Sequence, residues 1–266
     1  MKQPILIQGK IRLKNFDPAF CAGLEKEAAR AQTLKWTRRI GEMQELLYAN
    51  ARNSLVILFQ GMDASGKDGA VKRLLEFVNP AGVETTNFKA PSAEERAHDF
   101  LWRVHLAVPA HGFIGIFNRS HYEDVLVTRV HGLVDDDLAK LRFRQINDFE
   151  RMLTENGVTI LKLFLHMSRG EQKKRLEARL HDPHKNWKFN PDDLAERKYW
   201  RDYVRMYEDA LEHTNTDWAR WWIVPSDVKW YRNYMVAMIV AHALKKMDPQ
   251  FPPPPKGLDL SKIVIE

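Results

Sequence analysis

The chain has 266 residues, 44% of them hydrophobic and 11% aromatic, which suits a soluble α/β core and excludes a disordered or low-complexity protein. Forty-one Lys and Arg against thirty-five Asp and Glu leave a net charge of +6, so an anionic partner is expected, with nucleic acid, nucleotides and other polyanions all open. One cysteine, Cys21, excludes an intrachain disulfide; no stretch reaches the roughly 20 apolar residues of a membrane span and the amino end carries no sustained apolar run, so a cytoplasmic protein is expected.

Up to about Gly23 the chain reads as an irregular or short-stranded arm. A long helical pattern follows over 24–52, with Leu24, Ala28, Leu34, Ile40, Met43, Leu46 and Leu47 facing inward. Ser54–Gln60, SLVILFQ, reads as a buried strand that runs through GMDASGKDG into a helix, AVKRLLEFVN. Counted against G-x-x-x-x-G-K-[ST], Gly61 opens the loop, Gly66 and Lys67 close it, and Asp68 stands where the hydroxyl residue belongs. Such a loop turns backbone N–H groups onto an anion, at a helix start whose dipole has the same sign as the Lys67 charge. Gly61, Met62, Ala64, Ser65, Gly66, Asp68 and Gly69 are therefore candidate substrate-binding residues. Asp63 and Asp68 place carboxylates in a loop built for negative charge, which makes sense beside a divalent cation or an acceptor that must be positioned.

Asn79–Gly82 is a turn signal, 83–88 a second strand, 93–106 a helix capped by Ser92, and 113–117 a third strand. That strand ends in FNRSHYED. Ligands of open α/β sheets sit outside the carboxyl ends of strands, so this cluster should face the phosphate loop. Arg119 can clamp a phosphate, Glu123 or Asp124 can hold a metal, and Asn118, Ser120 and Tyr122 complete the substrate-facing set; Asn118 or Ser120 could equally cap a helix. His121 has no second His or Cys at ligand spacing, so zinc is not expected.

An amphipathic helix over 138–156 and a strand from Thr159 lead into a basic segment. From Arg169 to Phe189 seven cations, among them Arg175, Arg179, Lys185 and Lys188, stand against three anions, a surplus suited to a lid over a polyphosphate at about 169–191. A long helix over 194–213 is expected to pack through Leu194, Tyr199, Tyr203 and Leu211. A strand at 221–224, a helix over 230–246 and a Pro-rich arm at about 248–266 close what reads as a single domain.

This order describes a P-loop kinase of nucleoside-monophosphate-kinase architecture. The wording GMDASGKDG, FNRSHYEDVLV, WRVH and NWKF resembles polyphosphate kinase family 2 over roughly residues 16–266, most closely class III, whose members phosphorylate nucleoside mono- and diphosphates. The resemblance implies a three-layer α/β/α fold on a five-stranded parallel sheet, assembled as dimers or tetramers. It implies inorganic polyphosphate as donor, adenine or guanine nucleotides as acceptors (AMP to ADP, ADP to ATP), and Mg2+ or Mn2+ as cofactor. No membrane or nucleic-acid partner is implied. Carried over by position, Asp63, Lys67, Arg119 and Arg179 are catalytic, and Asp63 with Glu123 or Asp124 binds metal. Many members have aspartate where this chain has Asn118, which weakens a metal role there. Two other readings stand beside it: an ATP-dependent nucleotide kinase, against which Asp68 counts, and a basic P-loop protein that binds nucleic acid.

Overall fold

Runs of Val, Ile, Leu and Phe alternate along the chain with apolar residues at helical spacing, and a parallel sheet flanked by helices follows from that alternation. The structure, a computed structural model, describes residues 5–6, 10–255 and 260–265. The strands are β1 (Ile5–Leu6), β2 (Ser54–Gln60), β3 (Val83–Asn87), β4 (Ile114–Asn118), β5 (Val158–His166) and β6 (Trp221–Pro225). The helices are α1 (Lys26–Asn50), α2 (Lys67–Leu74), α3 (Ala93–Ala97), α4 (Trp102–Leu106), α5 (Val127–Val130), α6 (Asp136–Glu155), α7 (Arg169–His181), α8 (Pro191–Glu196), α9 (Trp200–His213) and α10 (Lys229–Met247).

The sheet runs β1-β6-β5-β2-β4-β3. Strands β2 to β6 are mutually parallel, as the five-stranded expectation requires, and β1 adds a short antiparallel edge through Ile5 opposite Ile223. All seven residues of β2 are buried, because successive side chains feed cores on opposite faces of the sheet. Ile57 and Phe59 pack with Ile40, Met43 and Leu47 of α1 and Val236, Val240 and Leu244 of α10. Val56 and Leu58 pack with Val104 of α4, Phe143 and Ile146 of α6 and Met206 and Tyr207 of α9. Three layers result, and β2 lies between β4 and β5 with the ends of β2 and β4 side by side. Arg119 N donates to the Phe59 carbonyl at 3.0 Å, fastening those two ends together.

Three expectations about elements are corrected. The inward face of α1 carries Ala29, Thr33, Thr37, Ile40, Gly41, Met43, Gln44 and Leu47, while Ala28 is exposed. Its polar members escape an apolar count because Thr33 and Thr37 return their hydroxyls to the carbonyls of Ala29 (2.7 Å) and Thr33 (3.1 Å). The helix expected over 93–106 is two, since Asp99 Oδ1 accepts from Leu101 N at 2.9 Å and restarts the chain as α4. The helix expected over 194–213 begins earlier, at Pro191, and a 3-10 turn at Arg197–Tyr199 divides it, leaving Leu194 and Tyr199 exposed and Leu211 buried. The carboxyl arm is tied at its root, Asn50 Nδ2 donating to the Gln250 carbonyl at 2.8 Å, and Phe251–Pro255 are exposed. Parts of both expected arms, residues 1–4, 7–9, 256–259 and 266, lie outside the described residues. No described helix is long and apolar enough to cross a membrane.

Candidate active site

The loop after β2 is wound tightly enough to need unusual backbone: Gly61 has φ +147°, Ala64 +63° and Gly66 +99°. Glycine tolerates these values; Ala64 does not prefer them and is held there by tertiary contacts. Lys67 opens α2 and turns its ammonium back into the loop, Nζ donating to the Gly61 carbonyl at 2.8 Å. Burial pulls its pKa down, Arg119 adds to the pull, and Asp63, Glu123 and Asp68 oppose it.

Arg119 leaves the end of β4 with φ +63° and donates from Nη2 to Asp63 Oδ1 at 2.6 Å. Burial alone would lower its pKa, but Glu123 and Asp63 hold it well above the ordinary value. Glu123 follows in a 3-10 turn that starts at His121, where burial pushes its carboxyl up against the pull of Arg119 and Lys67. Gly61, Met62, Asp63, Arg119 and Glu123 thus line one cleft of about 380 Å³, whose other wall comes from α7, α8 and α9. Asp68 and Asn118 meet on the adjoining rim, where Asn118 Nδ2 donates to Asp68 Oδ1 at 2.8 Å and to Asn87 Oδ1 at 2.9 Å.

Of the two carboxylates left open by the sequence, Glu123 faces the cleft. Asp124 points elsewhere, to Arg103 at 3.5 Å and Arg142 at 4.0 Å, so its candidacy as a metal ligand is corrected. Ser120 and Tyr122 are corrected too, since both are fully buried. Ser120 Oγ accepts from Tyr122 N and from Gln60 Nε2, capping the turn. Tyr122 donates to Glu150 Oε1 at 2.8 Å, within a closed network in which Lys162 Nζ reaches Glu150 Oε2 (2.6 Å), Tyr122 Oη (2.9 Å) and the Thr214 carbonyl (2.6 Å). Burial would raise the Glu150 carboxyl, but Lys162 and His121 hold it below its ordinary value. That network props the 120–124 turn from behind.

The basic segment divides in two. Its root on α7 grips the loop: Gln172 Nε2 donates to the Asp63 carbonyl at 3.0 Å, and Arg175 Nη1 donates to the carbonyls of Ala64 (3.0 Å) and Ser65 (2.9 Å). Arg175, expected on the substrate, is consumed by these bonds and by Glu171 at 2.8 Å, and is nearly buried. Farther out, Arg179 pairs with Asp193, which lines the cleft, at 2.9 Å. Lys185 pairs with Asp182, Lys188 lies 4.8 Å from the Trp187 ring, and neither is on the cleft wall.

The sequence reading missed Arg232 of α10, whose guanidinium is buried against Gly66 and Gly69, and the cleft's far wall of Glu196, Arg197, Trp200, Tyr203 and Tyr207. Arg232 carried a signal, standing three residues after Lys229 on one face of the closing helix. The aromatic wall carried none, being spaced like a core.

The family model for polyphosphate kinase 2 matches residues 23–252. The chain belongs to the polyphosphate kinase 2 family. Within the family it is 45% identical over 260 residues to a Meiothermus ruber protein named AMP/ADP-polyphosphate phosphotransferase, covering 97% of each chain. It is 41% identical to an ADP-polyphosphate phosphotransferase of Rhodopseudomonas palustris, over 80% of this chain and 78% of that one. The crystal structure of polyphosphate kinase 2 from Arthrobacter aurescens TC1 superposes with a TM-score of 0.93 at 41% identity, covering 97% of this chain and 93% of that one. The fold of that structure is thereby the fold of this chain.

Proposed function

We propose that the protein transfers the terminal phosphoryl group of inorganic polyphosphate to nucleoside mono- and diphosphates, AMP to ADP and ADP to ATP. The observation that carries this reading is the convergence, in one cleft, of Arg119, Asp63 and Glu123 above a loop whose Lys67 is already turned inward. Phosphoryl transfer asks little covalent work of a protein. It asks for in-line placement and compensation of charge on the phosphoryl oxygens.

Lys67 and Arg119 are the candidate clamps on the transferring group, and the loop N–H groups bind the donor's end. Asp63 orients the acceptor phosphate, its carboxylate fixed through Arg119 and its backbone through Gln172. Arg179 joins from the lid once a phosphate displaces Asp193 from it. Asp68, held by Asn118, occupies the place where a Mg-ATP site keeps a hydroxyl, which supports a donor other than ATP.

The donor set fits magnesium. Mg2+ is bound by one or two carboxylates together with substrate phosphates, and Asp63 and Glu123 supply two. Among the described residues no group of three or more His, Cys, Asp or Glu is arranged for a metal, so a resident cage is not part of the design. Ser65, expected on the substrate, is corrected like Ser120 and Tyr122: it is fully buried, and its Oγ has no hydrogen-bond partner among the described residues. The ion, when bound, neutralises charge developing between donor and acceptor. A cytoplasmic homo-oligomer belongs to the same reading, supported by the family resemblance and a lone cysteine.

The test is direct: purified protein with Mg2+, polyphosphate and AMP or ADP, with ATP read by luciferase. ATP formation is expected from both acceptors, and no product from either refutes the reading.

A further inference from the structure

Arg232 is out of place by ordinary electrostatics. It is 3% exposed, yet among the described residues it forms no ion pair. Its guanidinium has Asn233 Oδ1 at 2.8 and 3.2 Å and the Ser65 carbonyl at 3.5 Å. Its charged neighbours are cations: Arg175, whose own charge is already met by Glu171, and Lys229. Burial first, then Arg175, pulls the Arg232 pKa down to about 10. A buried charge in such surroundings is normally paired, because desolvation without a counter-charge is strongly unfavourable.

The missing counter-charge has one natural position. Arg232 lies against the phosphate loop so closely that a Cβ on Gly66 would stand 1.9 Å from Nη1, and one on Gly69 3.2 Å from Nη2. With no side chain at either position, only a single peptide layer separates the guanidinium from the anion cradle. Arg175 and Arg232 both donate to loop carbonyls, Arg175 to those of Ala64 and Ser65 and Arg232 to that of Ser65, so these carbonyls are satisfied from the side of α7 and α10.

We propose that Arg232 is a positioning residue for the phosphate donor, its charge compensated through the glycine layer by the anion the loop holds. The inference rests on the proposed reading only in naming that anion as the end of a polyphosphate chain. Without the anion the loop carries a repulsive pair of arginines behind it. A bound anion offsets that repulsion, so relief of it contributes to donor binding. The nucleoside part of the acceptor carries no charge to pair with Arg232 and takes no share.

The test compares wild type with Arg232→Met and Arg232→Lys by thermal unfolding, with and without sodium tripolyphosphate at fixed ionic strength, and by steady-state kinetics. Arg232→Met is expected to melt at or above wild type without ligand and to lose about half or more of the tripolyphosphate-induced rise in Tm. It should raise KM for polyphosphate about tenfold while KM for AMP changes less than about twofold. Arg232→Lys, which keeps the charge, should retain most of the rise. The inference is overturned if the methionine variant melts below wild type, if its ligand-induced rise is intact, if both KM values move together, or if lysine behaves as methionine does. Should wild type bind tripolyphosphate with the expected variant pattern yet transfer no phosphoryl group, the proposed donor role fails and the through-loop pairing stands.

Discussion

Lys67 Nζ, 2.8 Å from the Gly61 carbonyl, needs only to exchange a carbonyl for a phosphate oxygen to engage a substrate. Its removal therefore costs charge at the reacting group and relieves a buried ammonium. Lys67→Ala should lower kcat by about 100-fold or more while leaving the circular dichroism spectrum and melting temperature near wild type. Near-normal turnover in a folded variant would rule out the clamp role. Glu150 predicts the opposite pattern. It touches no cleft residue, but Glu150→Gln strands Lys162 without its counter-ion and should cost about 3–5 kcal/mol in urea unfolding at neutral pH. Because Lys162 and His121 hold the Glu150 pKa below its unfolded value, its contribution is present above the ordinary carboxylate range and is lost as pH falls through the folded value. The variant's deficit should accordingly shrink when unfolding is measured in acid. At this scale the sequence spoke clearly for Asp63, Lys67 and Arg119, whose residue types have few structural uses in a strand-to-helix loop. It misled at Tyr122 and Arg175, because a tyrosine that props a turn and an arginine that binds carbonyls look in sequence like residues that touch substrate.

Among the elements, the proposed lid predicts a division of labour. Arg179 on the outer half of α7 is held by Asp193 and is free to change partners, whereas Arg175 one turn earlier is not. Arg179→Ala should raise the polyphosphate concentration needed for half-maximal rate more than the nucleotide concentration. Equal increases, read from initial rates with each substrate varied in turn, would remove the donor-side assignment. The buried strands β2, β4, β5 and β6 were legible to within a residue or two because buried parallel strands are nearly continuous apolar runs, as in SLVILFQ. Helix limits were less so. Pro191 with its Asn190 cap starts α8 ahead of the apolar pattern, and Asp99 breaks a helix that the pattern leaves continuous. Both are local side-chain bonds to backbone, to which hydropathy is blind.

For the whole molecule, a net charge of +6 and a donor bearing about one negative charge per phosphate make capture of the polymer an electrostatic event. Raising KCl from about 50 to about 200 mM should raise KM for polyphosphate steeply and KM for AMP far less, a contrast measurable by initial rates. A similar slope for both would mean that the cationic surface plays no part in capture. The alternation of strands with helices and a crevice shared by the phosphate loop and the 117–124 cluster were legible, whereas the order of strands in the sheet and the cleft's aromatic wall were not, the wall forming only when α9 packs back across the sheet.

The grip of Gln172 and Arg175 on the phosphate loop has a mechanical corollary. Gln172 and Arg175 bolt the base of the basic segment to the loop, and we propose that any closure over the polymer hinges beyond His181, in the short latch at 182–190. Exchanging that latch between relatives would then retune how fast spent polymer and product escape while the chemistry beneath stays as it was.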